Sequence, residues 1–456
     1  MFIQTSVSLQ KRKMLNCKVF GQTIKSPIFS TLSFVLIVFV IYACSSIYKV
    51  SLYPSQLTSI QIRAPQQAAH NNDVQAAANK TLQVQATSPP LKVDQSSIIV
   101  VSNNLTEQIN IEELEEEEQD GEAPDPLIPP AKVTNEERME WFRKKLPDLE
   151  VLKSTNLSRS FHDRVVKFSK NQCATQFFMI WFSPARTFGP RDFLAVDTLM
   201  KANPQSCLVL ISRSLDTRRG YKILKPLLDR GFKILTVTPD LPSLVKDTPA
   251  EAWLKKIKNG KIDPGKNPLS IHLSDLIRLA VLYKYGGVYL DTDFVILKDF
   301  KGLRNAIGAQ GVDQVTHKWT TLNGAAMVFD KRHPILFDFL QEFTTTFDGS
   351  KWGHNGPYLL TRVIQRVGNT PGYNLTILGL KAFYPVNWIQ INGFYKKPVS
   401  EEESKWVEET VLELNKETYG LHLWNKITRE LVVNEGSVID RLIKSHCLIC
   451  RDAYNS

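Results

Sequence analysis

The stretch from Ser270 to Phe300, SIHLSDLIRLAVLYKYGGVYLDTDFVILKDF, constrains this chain more than any other, because it prescribes a helix, a stop, a strand and a charged strand end in that order. Leu273, Leu276, Ile277, Ala280 and Tyr283 recur at helical spacing and form one apolar stripe. Asp275 and Arg278 stand three apart and so share one flank of that helix. Gly286-Gly287 ends it, since glycine accepts the left-handed conformation that closes helices. Val288-Tyr289-Leu290 is then a short strand whose end delivers Asp291, Thr292 and Asp293. In extended backbone, side chains two residues apart point the same way, so the two aspartates can share one hard cation. Mg²⁺ or Mn²⁺ prefers such oxygen ligands and keeps positions free for substrate phosphates. A metal bridging a diphosphate offsets the charge that builds on a leaving nucleotide, and Arg278 adds a fork-shaped phosphate contact.

Asp-x-Asp alone is a common pattern, and surface turns use it for backbone hydrogen bonds. The apolar strand that leads into it here, and the glycine-capped helix before that, are what favour metal chemistry. Haloacid-dehalogenase-type phosphatases share the pattern of a hydrophobic strand followed by DxD, which Val288 to Val295 matches. Those enzymes carry it on their first strand and need a later acidic pair for magnesium; here a long α/β pattern precedes it and no such pair follows.

The preceding residues alternate. Phe177–Trp181 reads as a buried strand, Pro190–Ala202 as a helix and Cys207–Ile211 as a second strand. Gly220-Tyr221 opens a helix towards Arg230, and Phe232–Val237 is a third strand. Strands separated by helices imply an α/β fold with a mostly parallel sheet, which commonly binds nucleotides at the carboxyl ends of its strands. Order begins near Thr134-Asn-Glu-Glu137, a capping-box pattern.

Upstream, the sequence divides by charge. Residues 26–48 carry no charge, and at about 1.5 Å per helical residue such a run can cross a hydrocarbon core of about 30 Å. Five basic and no acidic residues precede it, which places residues 1–25 in the cytosol and makes 26–48 a signal anchor of type II orientation. A cleaved signal peptide is the alternative, and the long basic tail argues against it. Residues 49–131, rich in Gln, Ala, Ser and Pro and carrying a net charge of −8, read as a disordered lumenal stem. The catalytic domain is then 132–456, with a net charge of +13, which suits an anionic ligand such as a nucleotide-sugar. No run of Lys and Arg interleaved with aromatics supports nucleic acid as a partner. In an oxidising lumen Cys173, Cys207, Cys447 and Cys450 form disulfides, with Cys173–Cys207 and Cys447–Cys450 the preferred pairing; Cys447-Leu-Ile-Cys450 also has the spacing of redox or zinc sites. Asn79, Asn104, Asn156 and Asn374 lie in glycosylation triplets.

Taken together, Ser274-Asp-Leu-Ile-Arg278, Tyr285-Gly-Gly-Val-Tyr-Leu-Asp-Thr-Asp293, Leu322-Asn-Gly-Ala-Ala-Met-Val-Phe-Asp330, Asn355-Gly-Pro-Tyr-Leu-Leu-Thr-Arg362 and His422-Leu-Trp-Asn-Lys426 resemble the DxD sugar-binding region and neighbouring motifs of the α1,4-glycosyltransferase family. The likeness runs over roughly 170–450, and the Gln-rich stem looks like that of a plant member. The resemblance implies a GT-A-like nucleotide-diphospho-sugar transferase fold, retention of anomeric configuration, Mn²⁺ dependence and a Golgi membrane location. It implies that Asp291 and Asp293 hold the metal and diphosphate, with His422 as a further ligand. Asp275, Arg278 and Tyr289 would face the nucleotide-sugar, with a UDP-sugar favoured. Asn323, Asn355 and Gly356 would line the sugar and acceptor side, the acceptor being a glycan or glycolipid. Asn323 is followed by Gly324, which departs from the family's usual second Asn. A non-catalytic lectin-like or scaffold relative with the same fold is the rival reading. Trp352, Tyr358, Trp388 and Trp406 are candidates for core, rim or acceptor stacking.

Overall fold

The computed structural model describes residues 128–170, 173–368 and 370–450. The expected cytosolic tail, the expected anchor, all but the last four residues of the expected stem, and the triplets at Asn79 and Asn104 lie outside the described residues. Among the described residues, no helix is long and apolar enough to cross a membrane.

The strands are β1 (Gln176–Ile180), β2 (Cys207–Ile211), β3 (Lys233–Val237), β4 (Gly287–Leu290), β5 (Phe294–Ile296), β6 (Ala306–Val312), β7 (Trp319–Phe329), β8 (Thr376–Leu378) and β9 (Gly420–His422). Seven of them form one sheet in the order β3-β2-β1-β4-β7-β6-β8, and β5 pairs separately with β9. The β3-β2-β1-β4 half is parallel. The other half is mixed, because β7 runs antiparallel to both β4 and β6. The fold is therefore mixed α/β with a parallel-dominated sheet.

Both faces of the parallel half are buried, which explains its unbroken apolar runs. Phe177 and Met179 of β1 point into one core with Leu208, Leu210, Val288 and Leu290. Phe178, Ile180, Val209, Ile211 and Tyr289 point into the other. The second core also receives the Leu269–Tyr285 helix, whose Leu273, Leu276, Ile277 and Ala280 are buried as the periodicity predicts. Elsewhere the expected elements appear with small shifts. Pro190–Ala202 is helical to the residue. The next helix starts at Arg218 rather than Gly220, because the Thr217 hydroxyl accepts the Gly220 N–H and caps it. Thr134 and Glu137 form the reciprocal capping box.

Gly286-Gly287 is required by space as well as by angle. Gly286 sits at φ 71° and Gly287 at φ 107°. A Cβ on Gly287 would lie 2.4 Å from the Gln176 carbonyl oxygen, so only glycine lets β4 approach β1. Cys173 is joined to Cys207, and Cys447 to Cys450, the pairing expected.

Candidate active site

The Asp291 N–H still donates to the Ala325 carbonyl of β7, at 2.8 Å. The chain then bends at Thr292, leaves the large sheet and enters β5, which sets Phe294 opposite His422 of β9. This bend, rather than simple strand alternation, is the local reason the carboxylates converge. One oxygen from each of Asp291 and Asp293 and one ring nitrogen of His422 lie within 4.8 Å of one another. Two carboxylates and an imidazole in that space suit a small divalent cation, Mn²⁺ better than Ca²⁺ because of the nitrogen.

Each ligand is oriented by named partners. His422 Nε2 lies 3.2 Å from Asp293 Oδ1, and Asp293 Oδ2 accepts the Asn425 N–H at 3.0 Å. The Trp424 N–H donates to His422 Nδ1 at 3.2 Å, so the neutral ring carries its proton on Nε2, facing Asp293. Trp424 is left-handed, at φ 57° and ψ 49°, a conformation rare for a bulky residue. That turn aims two successive N–H groups at His422 and Asp293. Phe294 and Trp424 hold the imidazole edge-to-face at 4.9 and 4.4 Å.

Asp291 is held from the opposite side. Tyr289, two residues back on the same face, is 1% exposed, and its hydroxyl donates to Asp291 Oδ1 at 2.6 Å. Arg278 Nη1 lies 3.3 Å from the same oxygen. The guanidinium also donates to the Gly324 carbonyl at 3.0 Å and the Ser274 hydroxyl at 3.0 Å, and it sits 4.7 Å from the Tyr289 ring centre. Its fork is therefore engaged by protein acceptors, and it clamps Asp291. Asp275 stands 3.5 Å from Arg278, as the helical spacing predicts.

Burial and charge split these acids. Burial pushes the Asp275 carboxyl up to about 6, with Arg278 opposing and Asp291 adding. Burial also raises Asp291, against the pull of Arg278 and with the push of Asp293. Asp293 is half-buried and desolvation opposes its charge, yet its carboxyl is lowered, because His422 and the Asn425 N–H stabilise that charge. Burial thus disfavours charge on Asp291, while the partners of Asp293 favour charge on it.

The remaining expected residues sit close by in supporting positions. Asn323, on β7, accepts the Ala325 N–H at 2.9 Å and donates to Gln310 at 2.8 Å. Gly356 packs its backbone against Asp275, where a Cβ would stand 2.8 Å from Oδ1. Asn355 is buried, and its amide brackets its own loop: it accepts the Asp348 N–H at 3.1 Å and donates to the Asp348 carbonyl at 3.0 Å and His272 Nδ1 at 3.1 Å.

Sequence reasoning missed Asp192, Arg429, Asn425 and Tyr384. Asp192 caps the Pro190–Ala202 helix through the Gly189 N–H and lies 3.3 Å from Arg429. Its carboxyl is pushed up to about 6, by burial first, with Asp293 adding. The Gly189-Pro-Arg-Asp192 cap was visible in the sequence, but its approach to the segment after β9 was not. Tyr384 is buried, with its ring 5.6 Å from His422, and donates to the Asn323 carbonyl at 3.3 Å.

The site therefore belongs to the DxD class. Residues 189–312 match the glycosyltransferase sugar-binding region containing the DXD motif, and 328–454 match the α1,4-glycosyltransferase conserved region. The lactosylceramide 4-alpha-galactosyltransferase of Pongo pygmaeus is 34% identical over 194 residues, 41% of this chain and 80% of the relative. The chain belongs to the α1,4-glycosyltransferase family. An uncharacterised protein of Arabidopsis thaliana is 33% identical over 65% of this chain, in keeping with a plant member. The lactosylceramide 4-alpha-galactosyltransferase of Mus musculus is 33% identical over 51% of this chain. The chain spans 45% of the length of the Arabidopsis relative and 62% of the mouse one. Among solved structures, PaToxG glycosyltransferase covers 51% of this chain and 79% of its own at 19% identity and a TM-score of 0.32, too distant to bear on the fold.

Proposed function

We propose that this chain is a metal-dependent, retaining glycosyltransferase of GT-A-like fold. It moves a hexose or N-acetylhexosamine from a UDP-sugar to a hydroxyl of a glycan or glycolipid, forming an α1,4 linkage. The observation that carries this reading is the convergence of Asp291, Asp293 and His422 where β4 ends, in a chain of this family. The relatives support the linkage and sugar classes, since they are named for 4-alpha-galactosyl transfer to lactosylceramide and for alpha-1,4-N-acetylglucosaminyl transfer. Anchoring through residues 26–48 follows from the charge pattern of the N-terminal sequence, and a Golgi location from the likeness to the family.

When bound, Mn²⁺ or Mg²⁺ supplies charge neutralisation on the diphosphate. Asp291, Asp293 and His422 hold it; Tyr289 and Arg278 fix Asp291, and Asn425 fixes Asp293. Transfer breaks the bond between the sugar C1 and the β-phosphate oxygen. The acceptor oxygen bonds to C1 on the same face, and its proton passes to the departing phosphate oxygen. That route needs no protein nucleophile.

The test is Asp293→Asn in the full-length chain. The amide keeps an oxygen for the Asn425 N–H, which Asp293→Ala would leave unpaired. Sugar transfer should vanish while the melting temperature stays near that of the wild type. Transfer at the wild-type rate would sink the metal assignment.

A further inference from the structure

Asp291, Asp293 and His422 account for a cation and diphosphate, and the side chains of Asn323 and Asn355 are engaged within the protein, which leaves the surface that receives the acceptor to be located. Beside them the segment after β9 borders a cleft of about 330 Å³, lined by Asn425, Lys426, Ile427, Arg429 and Glu430. The cleft shares Asn425 with the metal site, because that residue's N–H is bound to Asp293 at 3.0 Å. The side-chain oxygen of Asn425 is buried and has no hydrogen-bond partner among the described residues, a state that buried polar atoms rarely keep.

Lys426 extends from this segment over the indole of Trp352, with Nζ 3.1 Å from the ring centre. Trp352 is 53% exposed, and Tyr358, five residues after Gly353, is equally so. The loop that carries Trp352 is braced. Asn355 ties it to Asp348 and His272, Arg362 donates to the His354 carbonyl at 3.3 Å, and the His354 ring meets the Thr346 carbonyl at 2.8 Å. Its next residue, Gly356, lies against Asp275 of the site. Trp406, by contrast, packs on Phe394 with ring centres 5.8 Å apart. A braced loop thus presents one large indole beside Lys426 of the cleft, with one face covered by that cation.

We propose that Trp352 is the acceptor platform and Lys426 its gate. The platform takes the apolar C–H face of a neutral hexopyranose, because the negative face of an indole attracts polarised C–H groups as it attracts the ammonium now on it. Ring and ammonium cannot both be satisfied by the same face. Lys426 adjoins Asn425, so a diphosphate at Asp293 draws the ammonium away by direct charge pairing, which outweighs an exposed cation–π contact. The acceptor then stacks, and donor precedes acceptor. This inference rests on the transferase reading and deepens it.

The test uses the full-length chain, with methyl β-lactoside as probe, read by saturation-transfer NMR and by acceptor kinetics. Wild type should saturate the probe strongly with UDP and Mn²⁺ and weakly without them. Lys426→Ala should saturate it without UDP. Trp352→Ala should lose the signal and raise the acceptor KM about tenfold with little change in kcat, and Trp352→Phe should restore most of it, which a folding defect would not. Wild-type acceptor KM in Trp352→Ala, equal probe binding with and without UDP, or no saturation from wild type at all would each overturn the platform. Nucleotide release from no donor by the wild type would instead overturn the transferase reading itself.

Discussion

Replacing Tyr289 by phenylalanine removes a single oxygen and leaves the packing intact, since the ring stays buried beneath Arg278. What is lost is the 2.6 Å bond to Asp291 Oδ1. A hydrogen bond to a charged group contributes about 1.5–3 kcal/mol. Groups that orient a metal ligand typically change ion affinity by about 10–100-fold when removed. The two estimates agree, because a factor of ten is about 1.4 kcal/mol. The sign with pH follows from Asp291. Tyr289 favours its ionised form, while burial opposes it more strongly. Above the Asp291 pKa the variant should therefore be less stable than wild type, and below it the difference should fade. Calorimetric Mn²⁺ titration at neutral pH, with thermal unfolding of the metal-free protein at acidic and neutral pH, measures both effects. Mn²⁺ affinity within twofold of wild type would refute the claim that Tyr289 sets the position of Asp291.

Three further outcomes follow from the same geometry. Gly356→Ala places a Cβ 2.8 Å from Asp275 Oδ1, so it should cost about 1–3 kcal/mol of stability by chemical denaturation and lower activity by displacing Asp275 from Arg278. Folding disfavours the charged form of Asp275, whose carboxyl is pushed up to about 6, so the stability of its protonated form is present below about 4 and lost as pH rises through 6. Melting temperature against pH should accordingly fall less over that window in Asp275→Asn than in wild type. His422→Ala removes the one nitrogen donor of the trio, and Mn²⁺ should lose more affinity than Mg²⁺ in parallel titrations.

Local features of this site were legible in the sequence. The apolar stripe, the glycine stop and the short strand are each set by neighbours within a few residues, and they fall where the spacing puts them. The three strands before them read correctly because both faces of that sheet are buried, which gives continuous apolar runs. Long-range placement was less accessible. Nothing near Leu322 reveals that β7 reverses direction against β4, because antiparallel and parallel partners leave similar patterns on a buried central strand. The spacing predicts continued extension at Thr292, whereas the chain bends there, because β5 pairs with β9, more than a hundred residues away. The protein acceptors of Arg278, Gly324 and Asp291, are not visible in the sequence because they become its neighbours only on folding. Asp192 escaped for the same reason: its cap is local, but Arg429 is not.

Asp291, Asp293 and His422 are proposed to hold a divalent cation that makes a nucleotide-sugar reactive. The most direct measurement is nucleotide release by the full-length chain from a panel of UDP- and GDP-sugars, with Mn²⁺ or with EDTA, beside Asp293→Asn. Release from a UDP-sugar should require Mn²⁺ and be absent from the variant. Release that persists in EDTA, or equally in Asp293→Asn, would contradict it.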